Sequence, residues 1–393
     1  MDLSRRSRQS ARVLYYLERY LPASQAFIAQ QGKALSRYEP AFLAGKTVAS
    51  PSREIFDAKI HSINNSMAMR SGELALKLLR VPIAGAFPCV RQADLLHAHF
   101  GKNGYVLWPL AIAARKPLVT TFHGFDATYN GDPRTPGGFN QVRFFAKGRA
   151  QMAKGNLWNV AVSDFVRDRM LSLGFPPERV FRHYVGIDTS LFAMRPRPRR
   201  KGLVVSIARF VEYKGHRYMI DALSRVAAQG IPLEFVMIGE GPIRDEIEAL
   251  ARKSLPKVTI LEKQTQSQIR DILAEAEIYL HGSVTLDNGH AEAFGLANLE
   301  AEAVGTPVVA FQSGGVGEAV EDGRTGALVA ERDVLGMAEA VGRLLTEGER
   351  WESFSKRGPE MVSERFHISK QTSQLEDYYD EVIAKHKFQL NLG

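Results

Sequence analysis

Short runs of apolar residues alternate along the chain with longer segments in which apolar side chains recur every three or four positions. The short runs predict strands at residues 11–17, 95–98, 118–122, 158–162, 180–185, 203–207, 233–238, 258–261, 278–281 and 306–311. The longer segments predict helices at residues 24–35, 103–114, 164–173, 296–303, 333–347, 351–366 and 369–387. Continuous apolar strands that alternate with helices are typical of a parallel sheet covered on both faces. The pattern therefore predicts an α/β protein.

A charged, proline-rich segment interrupts this alternation at Arg195-Pro-Arg-Pro-Arg-Arg-Lys201, and the alternation restarts after it. A core cannot accept such a segment, so it reads as a stiff linker. A chain of 393 residues is also too long for one ordinary core. We expect a first domain at residues 1–195, a second at 196–366, and a final helix within 367–393 that packs back on the first domain.

Two segments of the first half are less regular. Residues 44–66 have no clear period, and we expect a loop there. Residues 67–90 interleave apolar and basic side chains, which is compatible with a helix on a membrane surface and, more often, with a helix packed on a core. Residues 128–139 are rich in Gly, Pro and Asn and predict a mobile loop beside His123.

Charge changes the picture, because the net charge of +8 is unevenly distributed. Residues 1–195 hold 27 Lys and Arg against 13 Asp and Glu (+14), and the remainder holds 24 against 30 (−6). The basic half favours an anionic partner such as phospholipid, a phosphorylated acceptor or nucleic acid, unless it is simply a solvated surface.

Composition excludes other classes of protein. A hydrophobic fraction of 45% with 24% charged residues is that of a soluble globular protein. The single cysteine, Cys89, excludes an internal disulfide and a thiolate-rich metal site. We see neither a signal peptide nor a membrane span, and we expect a cytoplasmic protein.

Residues suited to ligand binding follow several predicted strands, where ligands of doubly wound sheets bind. They are His123, Arg209, Lys214, Gly239, Glu240, Gly241, Glu292 and Ser313. Arg209 and Lys214 place two cations in one loop, which suits a diphosphate. Backbone N–H groups at residues 295–297 would begin a helix and attract phosphate in the same way.

Several of the residues in these motifs also allow other interpretations. By spacing alone, Glu292 and Glu300 resemble two solvated helix glutamates. The Gly239-Glu-Gly241 turn and Glu262 resemble a dinucleotide site, but Arg244 stands where that motif needs a small residue. His97 and His99 share one strand face, yet without a fixed carboxylate or thiolate beside them we favour buried, hydrogen-bonded histidines over a metal site.

The motifs together resemble family 4 retaining glycosyltransferases, which have the GT-B fold of two Rossmann-like domains facing a cleft. The second half matches in Arg209…Lys214-Gly215, Gly239-Glu-Gly-Pro242, Ser283, Glu292-x7-Glu300 and Ser313-Gly-Gly-Val-Gly-Glu318. The first half matches in His97-Ala-His-Phe-Gly101, Thr121-Phe-His123-Gly-Phe-Asp126, Val162-Ser163, Gly186-Ile-Asp188 and Phe192.

This resemblance implies a role for each matching residue. Arg209 and Lys214 would hold the donor diphosphate and stabilise the leaving group, without a metal ion or cofactor. Glu292 would bind sugar hydroxyls and Glu300 the ribose, while His123 reaches the sugar from the other domain. Further donor contacts would come from Gly239, Glu240, Lys263, Phe294, Gly295 and Leu296. Ser24 and Asp126 would lie in the acceptor or phosphate loop.

Three positions depart from the family pattern. Leu21-Pro-Ala-Ser24-Gln-Ala-Phe27-Ile28 replaces the usual Gly-Gly loop and resembles a variant of exopolysaccharide enzymes. Glu262-Lys263 stands where a glycine is usual near the base, and His281-Gly282-Ser283 replaces the usual Pro-Ser.

We therefore expect a retaining transferase that moves a sugar from a nucleotide diphosphate donor to a glycan acceptor. A UDP-sugar is favoured over GDP-mannose, and a lipid-linked or surface-polysaccharide acceptor over a small soluble one. An anionic membrane is a further expected partner, and nucleic acid is not. A non-catalytic sugar-nucleotide-binding subunit remains a remote alternative.

Overall fold

A computed structural model describes residues 10–20, 25–47, 59–62, 75–76, 80, 84–135, 137–155, 157–194 and 198–392. Its first half contains one parallel sheet in the order β3-β2-β1-β4-β5-β6-β7. The strands are β1 (Ala11–Tyr20), β2 (Tyr38–Thr47), β3 (Lys59–Ser62), β4 (Leu95–His99), β5 (Leu118–Phe122), β6 (Trp158–Ala161) and β7 (Val180–Arg182). The central strands β4, β5 and β6 are buried throughout, so their few polar residues, such as His97 and Asn159, also lie in the core.

A second parallel sheet follows, in the order β10-β9-β8-β11-β12-β13. Its strands are β8 (Leu203–Ile207), β9 (Glu234–Ile238), β10 (Val258–Leu261), β11 (Ile278–His281), β12 (Val308–Phe311) and β13 (Gly326–Val329). Each sheet reverses its strand order at the first strand, which opens a crevice at the carboxyl ends of the strands.

Helices cover both sheets. They are α1 (Ala26–Lys33), α2 (Phe87–Gln92), α3 (Gly101–Ala114), α4 (Phe125–Thr128), α5 (Phe139–Arg143), α6 (Arg149–Lys154), α7 (Asp164–Ser172), α8 (His216–Ala228), α9 (Arg244–Ser254), α10 (Gln266–Glu275), α11 (Leu296–Ala303), α12 (Val316–Ala319), α13 (Val334–Thr346), α14 (Gly348–Arg365) and α15 (Ile368–Leu392). Within the described ranges, no helix has both the length and the apolar character needed to cross a bilayer.

The last helix crosses back to the first domain. Leu375, Tyr379 and Val382 of α15 are buried in the same core as β1 and β6. Tyr379 Oη lies 2.6 Å from His97 Nδ1, and the Glu376 carboxylate accepts hydrogen bonds from the backbone N–H groups of residues 36 and 37 at 2.7 Å each. Helix α15 therefore packs on the first domain.

The strand and helix predictions are confirmed for most of the chain, with one correction in the first domain. The expected loop at residues 44–66 is wrong in its described parts, because β2 extends to Thr47 and β3 lies within it. Pro40 and Gly45 obscured β2, since both residue types are depleted in strands, and pairing with β1 stabilises it nevertheless. Strand β13, helix α10 and the short helices α4, α5, α6 and α12 were not predicted from the sequence.

Two further expectations fall mostly on residues outside the described ranges. Ser24 is one of them, and α1 begins two positions later at Ala26. The amphipathic stretch at residues 67–90 is described only at residues 75–76, at 80 and from 84 onward, where α2 begins at Phe87.

Candidate active site

The two domains contact each other at the carboxyl ends of their sheets. Ser163 Oγ, just after β6, donates to the Ala293 carbonyl in the loop after β11 at 2.6 Å. The Glu318 carboxylate of α12 accepts the backbone N–H groups of Asp164 and Phe165 at 2.7 and 2.8 Å. These contacts bring the residues that follow β6 against those that follow β11 and β12.

Lys214 and Glu292 form an ion pair within this region, between their Nζ and Oε2 atoms. Only 14% of the Lys214 side chain and 13% of the Glu292 side chain are exposed. Burial alone would raise the pKa of Glu292, but Lys214 and the nearby His281 hold it well below its usual range. Burial likewise opposes the charge on Lys214, yet Glu292 raises its pKa above the ordinary value. Both groups are therefore charged, and Ser283 Oγ adds a contact to the carboxylate at 3.3 Å.

The loop that carries Glu292 leads directly into α11. Gly295 precedes the helix with φ +92°, and a β-carbon there would lie 2.6 Å from Asn298 Nδ2. Only glycine fits this turn easily, because the conformation is strained for other residues and the space is filled. The N-terminal end of α11 therefore lies close to the Lys214–Glu292 pair, and it adds the partial positive charge of a helix start.

Arg209 lies in the loop after β8, and its guanidinium is exposed. Arg209 Nη2 donates to Tyr213 Oη at 3.3 Å. The adjacent glycine turn after β9 packs directly on this loop, since a β-carbon at Gly239 would stand 2.1 Å from the Ala208 carbonyl oxygen and one at Gly241 2.2 Å from that of residue 210. The glycines thus hold the two loops together.

His123 follows β5 and reaches the same region from the first domain. Its ring is half-buried between Phe27 and Phe100, and burial lowers its pKa to about 3, so it is neutral at physiological pH. The next residue, Gly124, contacts the second domain directly: a β-carbon there would lie 2.5 Å from Ala293 Cβ. The turn that carries His123 therefore lies against the loop that carries Glu292.

Asp126 has a different environment from an open ligand-binding carboxylate. It is buried, and it accepts the backbone N–H groups of Gly101 at 2.7 Å and Gly124 at 3.0 Å. Burial raises its pKa to about 6, against the effect of these hydrogen bonds. Its contacts join the start of α3 to the turn that carries His123, which makes Asp126 a residue that shapes the site.

Some of the remaining predicted residues are at least partly exposed, and others pack in the domain cores. Glu300 is half-buried on α11, where burial raises its pKa to about 7. Phe294 is buried and stacks on Tyr184 with ring centroids 5.0 Å apart, so its side chain belongs to the core. Leu296 packs against the cores of both domains. Glu240 and Lys263 are exposed.

Sequence reasoning assigned no role to several residues of the contact region. His290 Nδ1 lies 2.9 Å from Thr128 Oγ1, and its ring packs edge-on against Tyr213 and Phe125. Glu318 and Ser163 belonged to recognised motifs, but nothing in those motifs indicated that they would join the domains. No pattern in the sequence indicated a role for His290. Among the described residues, no three metal-ligating side chains are grouped as a metal ion would require.

Two parallel α/β domains that meet across a cleft define the GT-B class of glycosyltransferases. Anabaena HepE, solved in complex with UDP-glucose, shares this fold with a TM-score of 0.74 and 19% identity over 94% of this chain and 99% of HepE. The family models agree: one described as glycosyl transferases group 1 matches residues 189–361, and one described as glycosyltransferase family 4 matches residues 10–191.

The chain belongs to glycosyltransferase family 4. The amylovoran biosynthesis glycosyltransferase AmsK of Erwinia amylovora is 30% identical to it over 290 residues, 71% of this chain and 68% of AmsK. A Salmonella typhimurium protein named as a colanic acid biosynthesis glycosyltransferase, WcaL, is 29% identical over 295 residues, 72% of this chain and 70% of WcaL. The family membership also removes the dinucleotide interpretation of Gly239 and Gly241.

Proposed function

We propose that this protein is a retaining glycosyltransferase of polysaccharide biosynthesis, which moves a sugar from a UDP-sugar to a lipid-linked glycan on the cytoplasmic side of a membrane. The observation that carries the proposal is the contact of Gly124 with Ala293, which joins the turn of His123 to the loop of Glu292 beside Lys214. A donor bound there meets groups from both domains.

The charges of the site suit a diphosphate leaving group. Lys214 is held cationic by Glu292, Arg209 is exposed in the same loop, and the α11 N-terminus lies next to them. Fixed positive groups of this kind stabilise the charge that develops on a departing phosphate. On this proposal they do so without a metal ion.

The reaction breaks the bond between the sugar C1 and the donor phosphate oxygen and forms one from C1 to the acceptor oxygen on the same face. The leaving phosphate takes the acceptor's proton. Glu292 then positions sugar hydroxyls and is not the nucleophile, because Lys214 already occupies one of its carboxylate oxygens. His123, neutral at physiological pH, offers a hydrogen bond to the sugar from the opposite side.

The names of related proteins support the donor and acceptor parts of the proposal. HepE was solved with UDP-glucose, which favours a UDP-sugar over GDP-mannose. AmsK and WcaL are named for amylovoran and colanic acid biosynthesis, which favours a polysaccharide acceptor over a small soluble one.

A ligand panel followed by a transfer assay tests the proposal. Bound ligand raises thermal stability with its occupancy, so UDP and UDP-sugars should raise the melting temperature more than GDP, GDP-mannose or NAD. Lys214→Ala should abolish the UDP effect, whereas Lys253→Ala, at an exposed lysine of the same domain, should preserve it. Stabilisation by GDP-mannose and not by UDP-sugars would identify GDP-mannose, in place of a UDP-sugar, as the donor. Binding of UDP-sugars without transfer to any glycan would indicate a non-catalytic subunit.

A further inference from the structure

One continuous helical segment lies along the outer side of α3. It runs through α5, a wider π-helical turn at Phe144–Gly148, and α6. Its inner side is buried at positions four residues apart, namely Phe144, Gly148 and Met152. A β-carbon at Gly148 would lie 2.8 Å from Tyr105 Cδ1 of α3, so this side is fully occupied by packing within the domain.

The opposite side of the same segment faces solvent and is basic. It presents Phe139, Lys147 and Lys154, and we call these three residues the basic face. Arg143 is half-buried, with its guanidinium 5.9 Å from the centre of the Tyr105 ring. Lys147 and Lys154 are exposed, and no carboxylate in the described part of the chain pairs with either. Residues 133–154 contain five Lys or Arg and no Asp or Glu. An ordinary solvated helix mixes both signs, so this face is unusual for a surface that only meets water.

Phe139 stands at the end of the basic face nearest the active site. It is 57% exposed, and two glycines with φ +72° and +68° precede it. Apart from the chain neighbours of each glycine, no heavy atom of the described residues lies within 4 Å of a β-carbon built at Gly137 or Gly138, so this turn projects from the body of the domain. A large aromatic ring is thereby held out into solvent, with basic side chains behind it.

The basic face begins at the edge of the sheet that carries the candidate active site. A β-carbon at Gly101, the first residue of α3, would lie 2.6 Å from Phe144 Cζ. Gly101 also donates its N–H to Asp126, the residue that holds the turn of His123. A partner bound along the basic face would therefore reach the opening of the cleft.

We propose that the basic face docks the protein on an anionic phospholipid bilayer, with phosphate headgroups against Lys147 and Lys154 and the Phe139 ring at headgroup depth. Basic side chains are attracted electrostatically to an anionic lipid surface. An aromatic ring is favoured at the membrane–water interface. Arg80 adds a further cation beside this face, with its guanidinium 4.0 Å from the centre of the Tyr105 ring. The reason for docking, access to a lipid-linked acceptor, rests on the proposed function, but the docking itself does not.

Co-sedimentation of the full chain with vesicles tests this. Wild-type protein should bind vesicles rich in phosphatidylglycerol, bind pure phosphatidylcholine vesicles far less, and dissociate near 1 M salt, where screening shortens the Debye length to about 3 Å. Lys147→Glu/Lys154→Glu should lower the partition coefficient roughly 25-fold or more. Phe139→Ser should weaken binding at every salt concentration below that at which the wild-type protein dissociates.

The control is Lys253→Glu/Lys356→Glu, which makes the same change in net charge at exposed lysines of the second domain. It should bind nearly as well as wild type. Equal losses in both double variants, or no loss in either, would overturn the proposal, as would binding to a soluble polyanion such as heparin with none to the vesicles. Stabilisation by UDP should be unchanged in all these variants. The vesicle measurement therefore tests the docking surface, and the thermal measurement with UDP tests the proposed donor.

Discussion

His99 Nδ1 lies 3.0 Å from His123 Nε2, and the two rings stack with their centroids 5.3 Å apart. His99 is 1% exposed, and its Nε2 meets no hydrogen-bond partner among the described residues. Burial lowers the pKa of both rings, so a single proton lies between two neutral imidazoles. In a core, a buried N–H group without an acceptor costs more free energy than an acceptor atom without a donor. His99 is therefore expected to carry its proton on Nδ1 and donate it, which leaves His123 with its own proton on Nδ1.

The first prediction concerns this pair. His99→Leu removes the donor to His123 and should lower kcat/KM for transfer by about 10- to 100-fold, since an unsatisfied buried group costs about 1–3 kcal/mol. His99→Gln keeps an N–H near the same place and should restore part of the rate. Nitrogen-15 NMR of the histidines reports the tautomer directly. A wild-type His123 protonated on Nε2 would contradict the assignment.

The second prediction concerns the ion pair of Lys214 and Glu292. Lys214→Met leaves a buried carboxylate without its partner and should cost about 3–5 kcal/mol in urea unfolding of the second domain. Lys214→Met/Glu292→Gln should be less destabilised than Lys214→Met alone, because no buried charge remains. Each single variant should also lose at least about 100-fold in transfer rate. Additive losses of stability in the double variant would mean that the two groups are independent.

The third prediction follows from Glu300, whose pKa burial raises to about 7. The proposed ribose contact needs the carboxylate, so UDP-glucose should bind about tenfold more tightly at pH 8 than at pH 6. UDP-glucose has no ionisation of its own diphosphate in this range, which isolates the protein group. Titration calorimetry with Glu300→Gln should give an affinity that does not change with pH. The pKa is raised above the unfolded value, so without ligand the same group stabilises the fold below about pH 4.5 and loses that contribution as pH rises through 7.

The fourth prediction concerns the link between the domains through Glu318. Its carboxylate accepts two N–H groups at the start of α7, and Glu318→Ala should remove about 0.5–2 kcal/mol of this contact. We expect a larger radius of gyration by small-angle X-ray scattering and a higher KM for the donor. Glu339→Ala, which removes an exposed carboxylate on α13, is the matched control. Identical scattering curves for Glu318→Ala and wild type would show that the link does not hold the domains together.

The central strands among the confirmed predictions share one physical property. Strands such as β5 and β12 are buried on both faces, so every residue in them is apolar or small and the run is visible in the sequence. The edge strand β3 and the strand β2 beside it lack that constraint, and β2 also contains a proline and a glycine. Their existence depends on pairing with β1, which no local pattern records.

The residues of the candidate site likewise form two groups, those that the sequence could predict and those that it could not. Its residues follow strands whose carboxyl ends share an edge, so their order along the chain was enough to predict His123, Arg209, Lys214 and Glu292 as neighbours of one cleft. The sequence could not assign Phe294 to the core or reveal that backbone amides already occupy Asp126, because both depend on packing between distant segments.

By itself the sequence determined the two α/β domains, the family, and most of the residues that follow the strands at the candidate active site. Those properties follow from local periodicity and from motifs read within a few residues of each other. Only the tertiary structure decided which side chains pair: Lys214 with Glu292, His99 with His123, and Glu318 with the start of α7. The reason is that burial and close approach set the charge and orientation of these groups, and both come from segments far apart in the chain.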